Sequence, residues 1–139
     1  MLNPLSHHLP AALLGIVIVL PAQATGAPVI APYAAELRAV DPGFSGFSTA
    51  QGLALYRGRF TGGKPDTPSC TTCHGDHPRQ PGRSLTGKFL APMASAVSPE
   101  RYADPAKVEK WFGRNCREVL GRECTPREKG DWLSYVRGQ

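Results

Sequence analysis

The sequence predicts a small all-α domain whose middle third is loop. Three observations predict it. Two segments near the C-terminus open with helix-start signals and continue with apolar residues at helical spacing. No segment alternates apolar and polar residues as a half-buried strand would. Glycine or proline recurs every few residues between 57 and 99, within a chain that holds fourteen prolines and fifteen glycines.

The chain divides into three parts. Residues 1–24 contain AALLGIVIVL, a run of about ten apolar residues, followed by Ala22-Gln23-Ala24. Such a run falls short of the roughly 20 residues that span a bilayer, and it has the shape of a secretory signal with a small-residue cleavage site. Cleavage near Thr25 predicts an exported, periplasmic protein with no stable membrane insertion; an uncleaved anchor is the alternative. The leader has no Lys or Arg, which leaves its charge to the amino terminus, His7 and His8. Residues 25–47 read as an N-terminal extension and 48–139 as the domain. A core of this size is modest, so a crosslink or a covalent cofactor would help it fold.

Within the extension, TGAPVIAPYA (25–34) is Pro-rich and is expected to be extended or loosely ordered. A first helix is predicted over 48–56, STAQGLALY, with Ser48 or Thr49 as N-cap and Leu53 and Tyr56 on one face. Residues 57–99 read as loops with at most short helical turns. Asp104-Pro105 opens a second helix, an N-cap followed by proline at the first helical position, and Gly121 is placed to end it. Val108, Trp111, Phe112 and Val119 fall on one face of that helix, and the periodicity puts Asn115 on the same face. A third helix opens with the capping box Thr125-Pro126-Arg127-Glu128, and Trp132, Leu133, Tyr135 and Val136 supply its apolar side.

Cys70-Thr71-Thr72-Cys73-His74 is the strongest chemical signal. Two thiols three apart can form thioethers to the vinyl groups of a haem while the adjoining imidazole takes its iron, and c-type haem is attached outside the cytoplasm. A redox dithiol would expect a strand-helix-strand setting, and a zinc site built with Cys116 and Cys124 would need a closer second pair. Neither explains His74. In an oxidising compartment Cys116 and Cys124, eight apart, read as a disulfide, with two buried free thiols as the alternative.

The residues alone leave the ligand opposite His74 open. Met93 is the one thioether outside the leader and the usual kind of ligand in electron carriers. His77 is too near His74 to cross the ring easily. Asn115 is an amide expected on an apolar face, where a helix interior offers few free backbone partners.

The run CTTCH, then PGRSLTGK (81–88), then RYADPAKVEKWFGRNCREVLGRECTPREKGDWL (101–133) closely resembles the sphaeroides haem protein family of monohaem cytochromes c. The resemblance covers 48 to the C-terminus; Ser98-Pro99 departs from the Asn-Pro its members tend to carry. It implies a class I-like cytochrome c fold carrying one haem c, thioether-bound through Cys70 and Cys73, with His74 as the proximal iron ligand. It further implies that the asparagine of the RNC motif, Asn115, is the sixth ligand and that Cys116 and Cys124 match the family's disulfide. An electron donor is implied as well, a dihaem cytochrome c.

An amide oxygen is a hard, weak ligand, suited to ferric and poorly matched to ferrous iron. Its release on reduction would open a site for oxygen, nitric oxide or carbon monoxide. The alternative is a simple electron carrier with permanently six-coordinate iron. A catalytic reductase would need an acid/base residue near the iron, and the sequence offers no convincing one. Of the formal charge of +5, six basic residues (Arg57, Arg59, Lys64, Arg79, Arg83, Lys88) flank the haem motif, against Asp66 and Asp76. They form either a solvated surface or a docking face for an acidic partner. Nucleic acid is not an expected partner of an exported protein.

Overall fold

A computed structural model describes residues 29–139. The expected signal peptide and the first residues of the extension lie outside them. The described residues form helices α1 (Ala31–Val40), α2 (Thr49–Arg57), α3 (Thr71–His74), α4 (Pro105–Leu120) and α5 (Pro126–Arg137). A 3-10 turn at Pro99–Tyr102 precedes α4, and two-residue strands β1 (Gly82–Arg83) and β2 (Phe89–Leu90) pair antiparallel. The all-α expectation holds, with this short hairpin added inside the loop segment.

One expectation fails. Residues 31–34 are not extended but open α1, because Pro32 stands in a first turn, where its missing N–H is not needed. The helix is then held by tertiary packing that no local signal announces. Tyr33 meets the Phe112 ring edge-on at 6.3 Å, and Leu37 packs with Phe44. Tyr33 also donates to the Glu109 carboxylate, which Lys129 holds from α5 at 2.8 Å. Val29 and Tyr33 belong to the main core, so much of the expected extension packs into the domain.

Helices α2 and α5 make the tightest crossing. The Ser48 hydroxyl caps α2 by accepting from the Gln51 N–H at 3.2 Å, and the Ser48 N–H donates to the buried Asp131 carboxylate at 2.7 Å. A Cβ on Gly52 would stand 2.0 Å from the Asp131 carbonyl oxygen, so only glycine lets the two backbones touch. Tyr56, Leu133 and Val136 are fully buried at this seam. Burying a side chain of the size of Leu133 or Val136 contributes roughly 1.5–3 kcal/mol.

Helix α4 begins and ends as its sequence indicates. The Asp104 carboxylate accepts from the Lys107 N–H at 3.1 Å, and Gly121 adopts the left-handed conformation with φ 73°. Its buried row, however, is Val108, Phe112, Cys116 and Val119. Asn115 is exposed and Trp111 half-buried, so they form a neighbouring row and not part of the core stripe. Periodicity merged two rows that lie about 100° apart around the helix. Phe112 faces the core, edge-on to Trp132 at 5.5 Å.

Cys116 is joined to Cys124 by a disulfide, with Cα atoms 5.6 Å apart. Immediately after it Thr125 and Glu128 form a reciprocal capping box at the start of α5. The end of α4 and the start of α5 are thereby fastened to each other.

Candidate haem site

The motif Cys70–His74 forms one turn of helix. Its geometry comes from the loops beneath it. Buried Ser69 shares a hydrogen bond with the Thr71 hydroxyl at 2.9 Å and accepts from the Thr71 N–H at 3.2 Å, which starts the turn. Buried Tyr56 donates to the Gly75 carbonyl at 2.8 Å, which ends it. Gly82 crosses the turn so closely that a Cβ would sit 2.0 Å from the Cys73 carbonyl oxygen.

Neither motif cysteine is in a disulfide. Burial pushes the Cys70 thiol up to about 11, although Trp132 donates a hydrogen bond toward it from α5. Burial also raises Cys73, and the Glu118 carboxylate raises it further, while the Leu85 N–H and the Arg114 cation work the other way. The Cys73 sulfur therefore lies within electrostatic reach of the α4 residues on either side of Asn115. Cys70 of the motif and Trp111 of α4 both pack against the main core.

His74 has its Nδ1 buried without a hydrogen-bond partner. Burial, and secondarily the Arg101 cation, lowers its pKa to about 4, so the imidazole is neutral and able to bind a metal. Nearby, Leu85 (56% exposed), Phe89 (61%) and Val97 (45%) put large apolar side chains on the surface of the segment that follows the motif. A group with an apolar ring and a metal fits these residues: two thiols, a neutral imidazole and exposed apolar side chains.

The alternative ligands are differently placed. Met93 is buried in the main core, with its carbonyl accepting from Tyr102 at 2.6 Å and its N–H donating to Pro78 at 2.8 Å. His77 is exposed, and its Nδ1 accepts from the Arg79 N–H at 3.2 Å. With Cys116 and Cys124 bonded to each other, a zinc site would need another cluster, and the described residues contain no group of three or more His, Cys, Asp or Glu that could hold a metal. A shallow cleft of about 360 Å³ between α2 and α5, lined by Gln51, Leu55, Phe60, Arg127 and Asp131, shares no residue with the motif.

Comparison with known proteins agrees with this chemistry. Residues 42–136 match the family described as a domain of unknown function, DUF1924. Over 89 residues the chain is 54% identical to the cytochrome c-type protein SHP of Cereibacter sphaeroides, a match covering 64% of this chain and 69% of that protein. The chain belongs to the SHP family of c-type cytochromes. Like its relatives, this SHP-type protein is a monohaem cytochrome that carries covalently attached haem c. It is also 30% identical over 97 residues to cytochrome c'' of Methylophilus methylotrophus, covering 69% of this chain and 67% of the relative.

Solved structures agree in fold. Oxidised SHP, an oxygen-binding cytochrome c, superposes with a TM-score of 0.71 at 46% identity, covering 79% of this chain and 96% of that one. Oxidised cytochrome c'' superposes at 0.70 and 27% identity, covering 81% and 92%. A solution structure of the same cytochrome c'', concerned with haem-ligand detachment in that protein, gives 0.67 at 27% identity, covering 80% and 90%.

Several contributors to the site were not read from the sequence. Tyr56 as the brace of the motif, Trp132 beside Cys70, Gly82 against Cys73 and Arg101 beside His74 are all tertiary neighbours. Only CTTCH itself carried a local signal.

Proposed function

We propose that this chain is a periplasmic monohaem cytochrome c that accepts electrons and, once reduced, opens its iron to small diatomic ligands. Cys70 and Cys73 would hold the haem covalently, and His74 and Asn115 would bind its iron. The observation that carries the reading is that Asn115 is exposed on the Trp111 row of α4, and that Trp111 and Cys70 pack against the same core. An amide on that row has no packing role in the core. The oxygen-binding SHP and the haem-ligand detachment studied in cytochrome c'' lend support as family precedents.

When bound, the haem supplies one-electron redox chemistry and, in the ferrous state, affinity for oxygen, nitric oxide and carbon monoxide. The neutral His74 imidazole anchors one face. The Asn115 carboxamide would offer a hard oxygen, which suits ferric iron better than softer ferrous iron, so its hold would weaken on reduction. Once released, its NH2 remains on α4 as a hydrogen-bond donor to an incoming ligand. Electrons come from a dihaem cytochrome c, with the basic surface around 57–88 as its docking face.

Optical spectra of the purified holoprotein test this. A ferrous spectrum that is high-spin and shifts on adding carbon monoxide is expected, with the carbon monoxide rate altered in Asn115→Ala. A sharp low-spin ferrous spectrum indifferent to carbon monoxide would instead mean a permanent sixth ligand such as Met93 and a simple electron carrier.

A further inference from the structure

Arg101 and Lys107 are two cations that share the Trp111 ring. Arg101 stacks its guanidinium over the Trp111 ring at 5.1 Å and donates from Nη1 to the Ala91 carbonyl at 3.3 Å, yet its Nε is buried without a partner. Lys107 places its Nζ 5.2 Å from the same ring centroid. Among the described residues neither cation forms an ion pair with an acidic side chain, whereas Lys64, Arg117, Arg122, Arg127 and Lys129 all do. A buried guanidinium N–H needs an acceptor, and the planar fork matches a carboxylate best.

Their position along α4 points to which carboxylate. Cys70 of the motif and Trp111 of α4 both pack against the main core. Lys107 and Trp111 lie about two turns and one turn N-terminal to Asn115, on one strip of α4. Haem carries its two propionate carboxylates on the edge opposite its vinyl groups. A haem attached by its vinyl edge at Cys70 and Cys73 and lying along this strip would present its propionates to the strip's far end.

We propose that Arg101 and Lys107, braced on Trp111, are the recognition site for the haem propionates. Arg101 supplies the buried hydrogen bond and Lys107 the solvent-facing charge. This rests on haem attachment at Cys70 and Cys73, which is tested separately: haem should remain with the chain on a denaturing gel and be lost in Cys70→Ala/Cys73→Ala.

The decisive measurements are the midpoint potential and the propionate bending band in the resonance Raman spectrum, taken on wild-type, Arg101→Gln, Arg101→Lys and Lys107→Gln holoprotein. Removing a cation near the iron favours the ferric state, so Arg101→Gln is expected to shift the potential downward and to move the propionate band. Arg101→Lys should recover most of the potential but not the band, because an ammonium lacks the fork. Lys107→Gln should give a smaller downward shift, being exposed and screened. Wild-type potential and band in both glutamine variants would overturn the proposal. If Arg101→Gln yields no holoprotein, an unchanged potential and band in Lys107→Gln overturn it alone. A purely structural role for Arg101 would lower stability and leave the propionate band in place.

Discussion

Asn115 and Phe112 are three residues apart and have opposite fates, one exposed and one buried against Trp132. The sequence could not separate them, because a helical period assigns a face to within about one row and both residues satisfy it. It did make Asn115 conspicuous, as an amide where a helix interior offers it no backbone partner. On the proposed function, Asn115→His is expected to give a permanently six-coordinate ferrous form, since imidazole suits both oxidation states. Its carbon monoxide affinity should fall by at least roughly tenfold, measured by titration, which corresponds to about 1.4 kcal/mol. Arg101 was invisible for a different reason: a guanidinium stacked on Trp111 and reaching the Ala91 carbonyl is a long-range arrangement with no periodicity behind it.

Among the elements, those with cap chemistry were legible and those held by packing were not. Asp104, Gly121 and the Thr125–Glu128 box announce α4 and α5 through side chains that satisfy free backbone groups within three or four residues. Helix α1 has no side-chain cap and depends on Tyr33 and Leu37 finding distant partners. At the α2–α5 crossing, Gly52→Ala forces a Cβ onto a backbone carbonyl that cannot turn aside. A loss of about 1–3 kcal/mol is expected in denaturant unfolding of the holoprotein. Replacing Cys116 and Cys124 together by alanine should cost about 2–3 kcal/mol by the same measurement, given the short loop they close. Glu128 accepts from Arg122 at 2.6 and 2.8 Å and from the Thr125 N–H at 2.8 Å. Chiefly through the Arg122 hydrogen bonds, its carboxyl is held below the usual glutamate range. A pKa depressed by folding adds stability that is complete above the unfolded value of about 4.3 and is lost as pH falls through the folded one. Glu128→Gln should therefore destabilise the protein at pH 7 by about 0.5–2 kcal/mol and lessen the decline of stability in acid.

At the scale of the whole molecule, charge and fastening matter more than any one contact. Arg57, Arg59, Arg79, Arg83 and Lys88 are exposed in the segment flanking the motif, whereas Lys64 is engaged by Glu118 at 3.3 Å. If an acidic donor docks there, its reduction of this protein should slow by roughly tenfold as ionic strength rises from about 0.01 to 0.15 M, followed by stopped flow. No helix among the described residues is long and apolar enough to cross a membrane. Both ends of α4 are tied, the first turn by Asp104 and the last by the disulfide to Cys124. On the proposed function, Asn115 then departs and returns by rotating about its own side-chain bonds, on a helix that stays still. Exposed rotamers turn over in picoseconds to nanoseconds, against microseconds or longer for sliding a helix. Recapture of ferric iron after flash-triggered electron loss should accordingly show no slow phase, so the gate's state tracks each electron's arrival and departure without lag.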